Sequence, residues 1–209
     1  MNIFALSKCP VESAQQMLDK HVVKMPTESC QMLHTNSLYF LFWEAHGREP
    51  SLKELKGFHK ESHFSYMMKP AMLNHPSTIW ARKNKANFMW LYNHAVALCK
   101  EYSYRYDKTH GTESRIQDSF TFSYDEDELS PVSIAMADEY RLPEEKHTWD
   151  FVIKSYQHYY LEGKWRFAEW RKNRRPLWFP ENHYAVKYNE YVQEYNARKP
   201  KLPLKEMKI

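Results

Sequence analysis

Apolar residues recur along much of this chain at the three- and four-residue spacing of helices. Ala14, Met17, Leu18, Val22, Met25, Met32 and Leu33 form one such stripe. The pattern predicts a helix that begins near Pro10, with the proline in its first turn, and runs to about Met25. Pro26 then kinks it or restarts it with Thr27 as the cap, and the second part ends at Gly47. Residues 1–6 are short and mostly apolar, and read as an extended arm tucked onto the body. Ser51 and Glu54 make a capping box for a helix over about 52–67. Pro76 opens a long helix over about 77–106, with His75 as its cap. Its buried stripe is Ile79, Trp80, Trp90, Leu91, Val96, Leu98, Cys99 and Tyr102. A short helix follows at 113–118, and the acidic stretch up to about 145 is mostly loop. Thr148 caps a helix over 149–161, which the basic-aromatic segment continues past Gly163 to about 174. A last helix spans about 181–198. Its stripe of Tyr184, Tyr188, Tyr191, Val192 and Tyr195 reads as a docking face, and the tail 199–209 reads as frayed and basic.

Composition supports an all-α, single compact domain. The 209 residues are enough for a real core, and 43% of them are hydrophobic. Only 4 are glycine, which argues against a turn-rich β fold. Neither G-x-G-x-x-G nor G-x-x-x-x-G-K occurs, which argues against a mononucleotide-binding α/β fold, and no cofactor is expected. Cys9, Cys30 and Cys99 are widely spaced, an odd set that suggests reduced thiols in a cytoplasmic protein. No apolar run approaches the roughly 18 residues of a membrane span, and the start lacks a signal-peptide layout. His59 and His63 stand at i, i+4, but spacing implies no third ligand, so no metal is expected.

The net charge of +4 conceals an asymmetry. Residues 124–145 carry Asp125, Glu126, Asp127, Glu128, Asp138, Glu139, Glu144 and Glu145 against a single Arg141. Residues 163–175 carry Lys164, Arg166, Arg171, Lys172, Arg174 and Arg175 against a single Glu169, interleaved with Trp165, Phe167 and Trp170. Phosphate neutralisation and base stacking want that mixture, and the partner it implies is DNA. A helix with aromatics inward and charges outward has the same composition.

The segment with the most chemistry lies near the start. His21, Lys24 and Glu28 stand at i, i+3 and i+7, along one side of the first long helix. A base, an amine and a carboxylate beside an apolar stripe are costly to keep there for packing alone. On spacing alone, three solvated side chains on the helix rim fit equally well.

The chain resembles the phage pyrimidine-dimer DNA glycosylases, the endonuclease V family, as a larger and distant relative. The likeness begins with the apolar arm Asn2-Ile3-Phe4-Ala5-Leu6, continues with Asp19-Lys20-His21, and places Glu28 seven residues after the histidine. It extends through Asn74-His75-Pro76-Ser77-Thr78, Ser133-Ile134-Ala135 and Tyr156-Gln157-His158-Tyr159-Tyr160, thinly covering residues 1–164. The resemblance implies a compact helical enzyme with Glu28 as its catalytic acid and a chain-terminal amine as nucleophile. Asn2 is bulky, so that amine is expected to be Met1's, with Lys24 as the fallback. His21 would orient Glu28 or bind a phosphate. Lys20, His75, Tyr159 and Tyr160, with the basic block, would contact DNA. Where the family has two arginines around the glutamate, this chain has Thr27 and Gln31, which leaves pyrimidine-dimer specificity open.

The expected organisation is a core over 1–164, a basic-aromatic and helical extension of the same domain over 165–198, and the tail 199–209. The leading expectation is a DNA glycosylase with AP-lyase activity. Two rivals use the same scaffold: a transferase modifying a base in viral DNA, which would need a small-molecule donor, and a non-catalytic DNA-binding protein.

Overall fold

The computed structural model describes residues 2–121, 128–143 and 146–208. Among these the chain forms eight α-helices, two short 3-10 turns (Asp138–Tyr140 and Trp165–Phe167) and no strand. The helices are α1 (Pro10–Gln16), α2 (Asp19–His46), α3 (Leu52–Glu61), α4 (Pro76–Lys83), α5 (Lys85–Tyr106), α6 (Glu113–Ile116), α7 (Trp149–Gly163) and α8 (His183–Arg198). No helix among the described residues is long and apolar enough to cross a membrane. Much of the acidic stretch, including Asp125, Glu126, Asp127, Glu144 and Glu145, lies outside the described residues.

The long helices α2 and α5 pack against each other, and α1 and α4 also rest on α5. The main core gathers Ile3 and Leu6 of the arm, Met17, Leu18, Val22 and Met25, Leu91 and Leu98 of α5, and Tyr156 and Tyr160 of α7. A second cluster of Leu38, Phe42, Leu55, Met67 and Leu73 fixes α3 and the following loop to the far half of α2.

Several boundaries differ from expectation, each for a local reason. The first helix breaks after Gln16 rather than at Pro26, and α2 runs through the proline to His46. Pro26 is buried in α2 and lacks the N–H its turn would use. The next carbonyl along, that of Val23, accepts from His110 Nε2 at 3.0 Å. Thr27 is therefore not a cap, and its hydroxyl meets that of Thr112 at 3.0 Å. The long helix expected at 77–106 breaks at Asn84, whose side chain accepts from the Asn87 N–H and starts α5 afresh. The Trp80 carbonyl, left open by the break, accepts from Asn87 Nδ2 at 2.9 Å. The helix from 52 ends at Glu61, not near 67, because Ser62 turns extended. The predicted caps at Ser51, His75 and Thr148 and the left-handed stop at Gly47 are all present.

The basic-aromatic segment does not continue α7. The helix ends at Gly163, where a side chain would strike the Tyr159 ring at 2.6 Å. Lys172 and Asn173 then take positive φ and turn the chain back across the body. This strap is tied by ion pairs to one buried centre. Arg105 has no exposed side-chain surface, and it donates to Glu101 Oε1, Asp19 Oδ1 and the Met17 and Gln15 carbonyls, each at 2.8 Å. Arg171 reaches Asp19 at 3.7 Å, and Arg174 reaches Glu101 at 3.0 Å. The tail is not frayed either. Asn189 and Asn196 of α8 each pair with a backbone unit of the returning chain, at Met207 and Leu204.

Two buried histidines make this core acid-sensitive. His94 is enclosed against Trp90, and among the described residues neither of its ring nitrogens has a hydrogen-bond partner. Burial lowers its pKa to about 3. His21 is also lowered to about 3, by burial and then by the charges of Lys164 and Lys24. Both rings stay neutral in the fold, while the unfolded chain takes up protons below about 6.5. This stability is present above pH 6.5 and is lost as the pH falls towards 3. Urea unfolding should show a loss of up to about 1.4 kcal/mol per pH unit for each histidine in that window. His94→Leu should remove roughly half of the histidine slope; an unchanged slope would mean that His94 is not the neutral buried group.

Candidate active site

The N-terminal arm lies inside the protein, with Ile3, Ala5 and Leu6 at most 1% exposed. An amide in this apolar segment determines where it docks. The Asn2 side chain accepts from the Tyr156 hydroxyl at 2.7 Å and from the Ile3 N–H at 2.7 Å, and it donates to the Ala135 carbonyl. The Tyr156 hydroxyl in turn accepts from the Ala135 N–H at 3.2 Å. So anchored, Asn2 directs its backbone N–H to Glu28 Oε2 at 3.2 Å. Met1 lies outside the described residues.

Glu28 projects from α2 with 16% of its side chain exposed, and Lys24, one turn earlier, pairs with Oε1 at 2.8 Å. The carboxylate thus stands between a buried arm and an exposed cation. His75 lies within its field. Burial lowers the His75 pKa and the Glu28 charge works against that shift. His75 Nδ1 accepts from the Ser77 N–H at 3.2 Å, which leaves Nε2 to carry the proton of the neutral ring.

His21 faces inward and bonds Tyr160 rather than Glu28. Its Nδ1 shares a 2.6 Å hydrogen bond with the Tyr160 hydroxyl, and its ring stacks on Phe4 at 4.1 Å. Phe4 has a φ of 50°, a left-handed conformation that costs a non-glycine residue on the order of 1–3 kcal/mol. The His21 stack and edge contacts with Tyr156 and Tyr160 hold it there. His21 thus contacts the arm at Phe4, not the carboxylate. It is buried, at 7% exposed.

The remaining expected residues divide into two groups. Lys20 sits over Phe167 at 4.8 Å and Lys164 over Tyr159 at 4.4 Å, so with Lys24 they make a cationic edge beside the arm. Arg166 is exposed and lies over Trp165 and Tyr191. Others are used internally. Tyr160 and Trp165 are buried packing residues and offer no face to a base. Trp170 donates its indole N–H to the Gln16 carbonyl at 2.8 Å and packs on Phe179. Arg171, Lys172, Arg174 and Arg175 pair with Asp19, Asp107, Glu101 and Glu181. Gln31 donates to the Lys69 carbonyl at 3.3 Å. Sequence reasoning passed over Asn2 and Tyr156 as site-builders. The available signal was a lone amide in an otherwise apolar arm.

The fold and the site define a helical protein with a carboxylate at the foot of a buried N-terminal arm. The chain belongs to the pyrimidine dimer DNA glycosylase family, whose model matches residues 1–114. That span holds the arm, His21, Lys24, Glu28 and His75; the anchors Ala135 and Tyr156 lie beyond it. No curated protein and no solved structure matches the chain.

Tyr156→Phe removes the hydroxyl that joins Asn2 to Ala135. A buried N–H and a buried amide oxygen each lose a partner, so stability should fall by about 1–3 kcal/mol. Amide exchange at Ile3 and Phe4 should quicken more than exchange in α5. Equal acceleration in both would mean that the hydroxyl does not anchor the arm.

Proposed function

We propose that the protein is a DNA glycosylase with a following lyase step, using the α-amine that ends the arm as nucleophile and Glu28 as acid and base. The observation that carries this reading is the Asn2 nitrogen 3.2 Å from Glu28 Oε2. An amide nitrogen does not attack, but one residue of backbone spans at most about 3.6 Å. The nucleophile this reading requires is the amine one residue before Asn2. An α-amine has a reference pKa of about 7.7–8.0, so a useful fraction is neutral near pH 7.

The chemistry follows from this placement. The neutral amine attacks the sugar's anomeric carbon as the glycosidic bond breaks. The base leaves with the bonding electrons and gains a proton, and the amine gives one up. Glu28 stabilises the developing positive charge of the sugar and relays these protons. Loss of the ring oxygen's bond gives an imine between sugar and amine. Removal of a C2′ proton then expels the 3′ phosphate and nicks the strand, and water releases the enzyme. Lys24 holds the carboxylate in place. The base, or its partner, must leave the stack at a cost of a few kcal/mol.

Lys20, Lys24, Lys164 and Arg166 supply the DNA-facing charge in this reading. Residues 165–198 serve the same domain as a strap and a final helix, with Arg171 and Arg174 stabilising α5 and α2. Thr27 and Gln31 are engaged with Thr112 and the Lys69 carbonyl, and the reading leaves the lesion open.

Glu28→Gln changes charge with little change of shape. It should lower turnover by about 10²–10⁴-fold while leaving DNA affinity within about tenfold. Unchanged base release would remove Glu28 from the chemistry.

Borohydride reduction during turnover should trap the imine as a stable protein–DNA adduct. Peptide mapping should place it on the N-terminal residue. An adduct on Lys24 or Lys20 would transfer the nucleophile's role to that side chain, and no adduct on any base-modified duplex would defeat the lyase step.

A further inference from the structure

Beyond the active site, a cavity of about 510 Å³ opens between α3 and the loop after it. Lys56, Gly57, His59, Lys60, Ser65 and Lys69 line it. Three lysines, a histidine and a serine line one space, and no carboxylate is among the lining residues. Lys56 and Lys60 are successive turns of one helix face, and Lys69 approaches from the loop. All three lysines are exposed, so none is held in the cavity by packing. Gly57 contributes open space, since a side chain added there would meet nothing within 4 Å.

The loop wall is built, not loose. His59 Nε2 bonds the Met67 carbonyl at 3.0 Å, and the Met68 N–H donates to His34 Nδ1 at 2.8 Å. Thr35 bonds Ala71 in both directions at 3.3 Å. Gln31 accordingly brings the Lys69 backbone onto α2, three residues beyond Glu28, or about 4.5 Å of helix rise. Lys20, Lys24, Glu28 and Gln31 follow one stripe of α2. The carboxylate thus has one group of lysines towards the start of the helix and a second group beyond it.

We propose that the α3 cavity is a second anion subsite, which holds a backbone phosphate of the DNA strand on the side of Glu28 opposite Lys20 and Lys24. This rests on the DNA-glycosylase reading. Phosphates follow one another every 3.4 Å or so of axis along each strand. A strand laid along α2 over Glu28 therefore brings a phosphate to the cavity within a few nucleotides of the reacting sugar. The subsite reads no base. It gives register, and it supplies on this side the cationic grip that Thr27 and Gln31 do not.

The test is binding of an undamaged fluorescent duplex of about 25 base pairs over a range of salt concentrations. The wild type and Lys56→Ala/Lys60→Ala/Lys69→Ala are compared. Each lost phosphate contact should reduce the slope of log affinity against log salt by about 0.9. The triple variant should therefore lose about one contact's worth, with roughly tenfold weaker binding at moderate salt. Gly57→Asp places a carboxylate in the cavity and should act in the same direction, while Gly57→Ala should leave the slope unchanged. Melting temperatures near the wild-type value in all variants show that the fold is retained. A wild type that binds with a steep slope, and a triple variant with the same slope, overturns the subsite and leaves the glycosylase reading standing. A wild type with no salt-dependent DNA binding overturns both. Inorganic phosphate that shifts the Gly57 and Ser65 amides in the wild type, with an unchanged DNA slope in the triple variant, makes the cavity a free-anion site and overturns the DNA assignment.

Discussion

The anchoring of Asn2 is the constraint on which the candidate site depends. One side chain joins the arm to α7 through Tyr156 and to the Ala135 segment. Its backbone N–H then meets the carboxylate of α2. Three distant parts of the chain, around residues 2, 28 and 135–156, thereby converge on one point. The strained φ of Phe4 is tolerated because His21, Tyr156 and Tyr160 surround the ring. A buried polar anchor of this kind is costly if any partner is missing, so it specifies one docking of the arm. Free movement of the arm would separate the Asn2 N–H from Glu28.

The charges serve two purposes. Arg105, Asp19 and Glu101 form a buried centre where α1, α2 and α5 meet, and Arg171 and Arg174 extend it outward to the strap. Breaking a buried pair leaves a charge uncompensated, at about 3–5 kcal/mol, whereas an exposed pair contributes about 1 kcal/mol or less. The inner members therefore dominate, and the outer arginines mainly hold the strap in register. The exposed Lys24 is paired with Glu28, Lys20 lies over Phe167, and the α3 lysines line an open cavity. Local charge density along the sequence could not separate these uses, because the partners of Arg171 and Arg174 lie far away in the chain.

The helical period of the apolar residues, the capping box at Ser51 and Glu54, the cap at Thr148 and the stop at Gly47 were readable locally, since each involves residues within one turn. Glu28 was singled out from its spacing to His21 and from the family resemblance, and the family match covers both. The error at Pro26 arose because propensity described only the lost N–H, while burial of α2 sustained the helix. The error at Asn84 arose because the apolar stripe continues through a residue whose own side chain caps a new start. The basic-aromatic block was read as a helix because its composition fits one, yet Gly163 and two positive-φ residues turn it into a strap.

The sequence by itself determined an all-α chain, an apolar arm and a carboxylate one helix away, because periodicity and capping are short-range effects. Tertiary structure decided which way those groups face. It turned His21 inward onto Phe4 and Tyr160, committed Arg171 and Arg174 to buried carboxylates, and folded the tail back onto two asparagines of α8. It also brought Asn2 to Glu28 by way of Tyr156, a partner 154 positions away along the chain. Hydrogen bonds and ion pairs between such distant residues leave no periodic trace, so only the packed chain discloses them.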